Sequence, residues 1–148
     1  MSKFEESLKE WLEYENKILK YLNDKWLPFI KNKDDRWIDI LLNNISIEIK
    51  RDNKSKVTWN FYFETECWWK PSWLFKYSDV TYWIHGVDEY FYLFDVDILK
   101  DVVLNKWWQT RWWDYSASRW YIIKEKIIAE YAMWKYFLNS DIWTIETN

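Results

Sequence analysis

Glycine is nearly missing from this chain: 148 residues contain one, where average usage of about 7% predicts roughly ten. Cysteine also appears once. A single thiol, Cys67, excludes an internal disulfide and fits a reducing, cytoplasmic setting. Cys67 and the single histidine, His85, form no zinc-binding pattern, and a lone histidine on a strand reads first as a structural residue. No run of about 18 apolar residues exists, so no segment is expected to span a membrane. The N-terminal MSKFEESLKE places acids where a secretion signal needs an apolar stretch. Positive charge is not in excess either. The formal net charge is −3 and the pI about 5.3, which argues against a broad basic nucleic-acid surface but leaves room for a local one.

Hydrophobic residues make up 49% of the chain and charged residues 30%. That balance suits one globular domain over 1–148 with a single core. Residues 3–22 carry Phe4, Leu8, Trp11, Leu12, Ile18, Leu19 and Leu22 at helical spacing. Glu15 falls within that apolar stripe, where an acid is costly unless paired or bound to a metal; a position at the stripe's edge is the plainer alternative. Strands are expected at 37–42, 45–50, 57–64, 79–86, 89–95 and 119–123. Helical segments are expected at 72–78, 97–104 and 124–138, with a polar loop over 105–118.

The stretch DILLNNISIEIKRD, residues 39 to 52, reads as a hairpin. Ile45, Ile47 and Ile49 alternate with Ser46, Glu48 and Lys50, the period of a half-buried strand. Asn43-Asn44 suits a two-residue turn, because Asn tolerates φ > 0. That loop pairs Leu42 with Ile45 and sets Asp39 across from Glu48. Side chains paired in this way share a face. Two carboxylates that close repel unless a positive group sits between them, and Lys50 projects from the same face. A solvated surface hairpin is the simpler reading of such a pair.

A helix with an inward Glu15, then Asp39, then Glu48-Ile49-Lys50 on a hairpin resembles the PD-(D/E)XK nuclease superfamily. The strand with Asn60 and Glu64 and the segments KPSWLFKYSDVTYWI and DYSASRWYII are similar to its small phage-encoded members. Trp37-Ile38 stands before Asp39 in place of the motif's proline. The resemblance implies an α/β, restriction-endonuclease-like core: a central mixed sheet flanked by helices in αβββαβ order. It implies Mg²⁺, with Mn²⁺ as substitute, held by Asp39, Glu48, the Ile49 carbonyl and Glu15, with Lys50 beside the scissile phosphate. Hard carboxylate oxygens suit Mg²⁺. The metal would lower the pKa of a bound water and neutralise phosphate oxygens. The implied activity is metal-dependent hydrolysis of DNA in recombination or branched-DNA processing, in a phage-infected or bacterial cytoplasm, by a protein compatible with a homodimer. Asn60 and Glu64 either line the same face or belong to a polar sheet surface.

Against one glycine stand 15 tryptophans. They fall in polar, turn-rich contexts such as CWWKPSW and NKWWQTRWWDYSASRW, where adjacent Trp would expose large apolar surfaces. Each Trp has about 150–250 Å² to bury, too much for a domain of this size. Glycine in place of Trp turns these stretches into ordinary loops. Some genetic codes read UGA as glycine, and translating such a gene with UGA as Trp yields this composition. Trp59, Trp68, Trp69, Trp73, Trp107, Trp108, Trp112, Trp113, Trp120 and Trp134 are the positions of this kind; Trp11 and Trp83 fall on core faces. The alternative is a set of platforms that stack on bases or sugars. Two further functions therefore stand beside the nuclease: a non-catalytic aromatic module for carbohydrate or single strands, and an inactive nuclease fold that only binds.

Overall fold

The computed structural model describes residues 2–25, 30–31, 40–42, 45–71, 73–75, 80–113, 117–138 and 145–146. Helix α1 (Lys3–Lys25) opens with a capping box. Ser2 Oγ accepts from the Glu5 amide at 3.1 Å, and Glu5 Oε2 accepts from the Ser2 amide at 3.4 Å. Tyr14, Ile18 and Tyr21 form its buried face at helical spacing. There follow β1 (Ile30–Lys31), β2 (Ile40–Leu42), β3 (Ile45–Arg51), α2 (Ser55–Thr58), β4 (Asn60–Cys67) and β5 (Lys70–Pro71). A 3-10 turn at Trp73–Phe75 precedes β6 (Tyr82–Gly86), β7 (Tyr90–Asp95) and α3 (Val96–Lys106). The chain continues through β8 (Gln109–Trp113), β9 (Ser118–Lys124), α4 (Glu125–Ile128), a 3-10 turn at Ala129–Tyr131, β10 (Trp134–Phe137) and β11 (Ile145–Glu146).

Among the described residues these strands make two sheets. One is mixed, in the order β1-β2-β3-β6-β7-β10-β11; the other is antiparallel, in the order β5-β4-β9-β8. In the mixed sheet β3 runs antiparallel to β2 and parallel to β6. Leu42 pairs with Ile45 and Ile40 with Ile47, the register that a two-residue loop requires. Helix α1 covers one face, where Tyr14, Ile18 and Tyr21 pack on Ile47, Ile49, Ile84, Phe91 and Tyr136. The antiparallel sheet covers the other: Phe61, Phe63 and Ile123 meet Trp83, Tyr92 and Phe94, and α3 adds Leu99, Val102 and Val103. The molecule is thus α/β, with mixed and antiparallel sheets flanked by helices.

The single glycine closes the β6–β7 hairpin. A β-carbon on Gly86 would lie 2.3 Å from the Tyr90 carbonyl oxygen and 2.5 Å from Phe91 Cα, so only hydrogen fits there.

Three expected elements differ. The strand placed at 57–64 begins at Asn60, because residues 55–58 form α2 instead. Ser55 Oγ donates to the Asp52 carbonyl at 2.9 Å and Thr58 Oγ1 to the Lys54 carbonyl at 3.0 Å, so short polar side chains favour a helical turn. The polar segment 105–118 contains β8, which pairs along β9. The helix expected over 124–138 stops at Ile128, and residues 134–137 pair with β7 as β10. In both cases pairing with a neighbouring strand in the sheet, β9 for β8 and the distant β7 for β10, overrides local pattern.

Candidate functional site

Alternation along β3 sends Ile47 and Ile49 toward α1 and Glu48, Lys50 and Asp52 toward the antiparallel sheet. Glu48 and Lys50 form an ion pair of 2.8 Å between Lys50 Nζ and Glu48 Oε1. The Glu48 side chain is 3% exposed and that of Lys50 23%. Lys50 Nζ also stands 6.0 Å from the Trp83 ring centroid. Desolvating two charges is expensive, and apolar residues of similar volume would often serve stability as well. The pair is therefore not one that packing alone would favour.

Beside it lies a second buried polar chain. Asp52 Oδ2 is 2.8 Å from His85 Nε2, and the Trp83 indole donates to His85 Nδ1 at 3.1 Å. An indole nitrogen only donates, so Nδ1 is the acceptor and Nε2 carries the proton given to Asp52. His85 is fully buried between the rings of Phe61 and Phe63, with centroids 4.7 and 4.6 Å away. The Tyr62 amide donates to the same Asp52 oxygen at 2.8 Å. Asp52 therefore ties β4 to β3 and fixes how the two sheets stack above Glu48 and Lys50.

The end of β3 is clamped from outside. Arg51 meets Asp88 with two bonds, 2.7 Å from Nε and 3.1 Å from a terminal nitrogen, and also meets Glu10 of α1 at 3.1 Å. Asn53 and Lys56 reach Asp88 at 3.1 and 3.3 Å. The Arg51 guanidinium holds the Asp88 carboxyl well below the usual carboxylate range, aided by Asn53 and Lys56.

A cleft of about 620 Å³ opens on the same face of the mixed sheet, lined by Trp59, Tyr90, Tyr92, Glu125 and the lysines 124, 126 and 135. Register places Lys50, His85, Tyr92 and Lys135 in one row across β3, β6, β7 and β10. At about 4.8 Å per strand, Lys50 and Lys135 sit about 14 Å apart, with Phe61 and Phe63 covering His85 between them. Both Tyr90 and Tyr92 hydroxyls donate to Glu125 Oε1. Burial and that carboxylate push the Tyr90 hydroxyl far up, so it stays a donor. Lys135 lies over the Tyr90 ring at 4.4 Å. Among the described residues none of the three lysines has an ion-pair partner, so the cleft keeps an excess of positive charge suited to phosphate.

Of the residues singled out from sequence, Glu48 and Lys50 come together. Ile49 sits between them, paired with Ile84 and fully buried against α1. Glu15 is fully buried on α1, which packs on the Ile47 and Ile49 face of β3. Asp39 lies outside the described residues. Among the described residues no three His, Cys, Asp or Glu side chains gather as a metal-holding group. Glu64 alternates to the face opposite Phe61 and Phe63, away from β3, and Asn60 lines the separate cleft. Asp52 falls in a stretch whose composition marks a loop, although it continues the alternation of Glu48 and Lys50 by one more step. The three cleft lysines fall within one short stretch, on the end of β9, on α4 and on β10, and no motif or spacing in the sequence singles them out.

No family model, no curated protein and no solved structure matches this chain. Among the described residues no helix is long and apolar enough to cross a membrane.

Proposed function

We propose that the protein is a metal-dependent nuclease that hydrolyses phosphodiester bonds in DNA, on a restriction-endonuclease-like core. The observation that carries the reading is the covered Glu48–Lys50 pair at 2.8 Å on β3. It lies on a hairpin whose register is the one that sets Asp39 across from Glu48 by sequence. A helix and a hairpin precede β6, which is parallel to β3, and these support the reading; the third strand of the expected order, β4, pairs in the other sheet.

The donor chemistry fits a hard divalent cation, since Glu48 offers carboxylate oxygen and Mg²⁺ is usually held through one or two carboxylates. Asp39, Glu48 and the Ile49 carbonyl would hold it, and it would supply charge neutralisation at phosphate oxygens and an acidic bound water; Glu15, on α1 against the opposite face of β3, is left out of that set. Lys50 contributes a compact positive charge that orients the attacking water or meets the scissile phosphate. The Asp52–His85–Trp83 chain holds β3 and β6 in register beneath it. The lysines 124, 126 and 135 grip the DNA backbone away from the cut.

The test is cleavage of DNA with Mg²⁺ or Mn²⁺ supplied. Ca²⁺ should bind without supporting turnover. Asp39→Asn and Glu48→Gln should abolish cleavage while preserving the fold. Full cleavage by either variant, or in excess EDTA, rules the mechanism out.

A further inference from the structure

Among the described residues three non-glycine positions have positive φ: Trp59 at 61°, Trp68 at 50° and Trp69 at 67°. All three are tryptophan, a residue that fills 15 of 148 positions. A bulky side chain in this region is a steric outlier, since its β-carbon crowds the following carbonyl.

Each position also belongs to a motif with its own demand for glycine. Trp68 and Trp69 are the whole loop between β4 and β5, since Cys67 pairs directly with Lys70. A two-residue hairpin loop with positive φ at both residues is the type I′ turn, whose favoured pairs are Asn-Gly, Asp-Gly and Gly-Gly. Trp59 ends α2 in the left-handed conformation, at φ 61° and ψ 25°, with its amide bonded back to the Ser55 carbonyl. That is the helix-ending position where glycine is most enriched. The rings gain little burial in exchange, being 70%, 68% and 83% exposed at positions 59, 68 and 69.

Other tryptophans behave differently. Trp83 is fully buried, and its indole donates to His85. Trp107 is 42% exposed but has ordinary extended backbone, φ −64° and ψ 146°. Exposure alone therefore does not pick out the three; backbone conformation does.

We propose that the natural protein carries glycine at positions 59, 68 and 69, specified by UGA codons that a glycine-charged tRNA decodes in its source. Trp83 is a true tryptophan encoded by UGG. The β4–β5 hairpin then closes on a Gly-Gly turn and α2 ends on a glycine cap. Position 59 also lines the lysine-bearing cleft, whose wall then loses an indole.

Two independent readouts test this. The gene should show UGA at codons 59, 68 and 69 and UGG at 83; UGG at the three positions overturns the proposal. In the chain with tryptophan at all three positions, the combined Trp59→Gly, Trp68→Gly and Trp69→Gly variant should raise Tm by about 5 °C or more. Changing the same three to Ala removes the rings but keeps the β-carbons, and should recover less. Trp107→Gly, at ordinary φ, should give no rise. A combined glycine variant with unchanged or lowered Tm, or an alanine variant that matches it, contradicts the proposal.

Discussion

Gly86 and Tyr14 meet at a point where one atom more or less is decisive. A β-carbon at residue 86 would lie 2.3 Å from a backbone oxygen, 2.5 Å from Phe91 Cα and 2.8 Å from the Tyr14 hydroxyl. Backbone atoms cannot swing aside, so Gly86→Ala should cost about 3 kcal/mol or more, seen as a lower urea midpoint at unchanged slope. The Tyr14 hydroxyl is buried with no hydrogen-bond partner among the described residues, and burial pushes its pKa well up. Tyr14→Phe removes an unsatisfied donor and should leave stability equal or higher; a loss above about 1 kcal/mol would show that the hydroxyl has a partner. Single-residue demands were partly legible. The tryptophans in turn contexts were legible because glycine and turn chemistry are local. The need for glycine at 86 was not, because the atoms that crowd it come from β7 and α1.

At the scale of elements, Asp88 joins the β6–β7 turn to the end of β3, to α2 and, through Arg51, to α1. Its carboxyl titrates below the roughly 3.9 of an unfolded aspartate, chiefly because of Arg51. In the window between the two values the unfolded chain binds the extra proton. The stabilisation is therefore complete above about pH 4 and drains away as pH falls through the folded value. The side chain is 37% exposed, so solvent screening keeps the effect modest. Urea midpoints of the wild type and Asp88→Asn should differ at pH 7 and converge below pH 4; a constant gap would refute the clamp. The hairpin at β2 and β3, helix α1 and the β6–β7 pair were readable from periodicity, because each expresses its pattern within one short segment. Two other strands were not: β8 and β10 lie in stretches whose local signals read loop and helix, and only partners such as β9 and β7 make them strands.

Across the whole molecule, a net charge of −3 coexists with a local excess of lysine in the cleft at 124, 126 and 135. If that cleft holds a DNA backbone, Lys124→Ala with Lys126→Ala should weaken binding and lower the slope of log K against log salt by about 2. An unchanged slope would place the backbone elsewhere. The site itself was legible in its β3 half, Glu48 and Lys50, because alternation fixes which residues share a face. Its relation to Asp52, His85 and the lysine row follows from strand order across the sheet, which sequence spacing does not encode. The most direct measurement is the rate of DNA cleavage by the wild type and by Glu48→Gln, each with Mg²⁺ and with excess EDTA. The account predicts cleavage by the wild type with Mg²⁺ alone. Equal rates for the wild type and Glu48→Gln, or wild-type cleavage that survives EDTA, would contradict it.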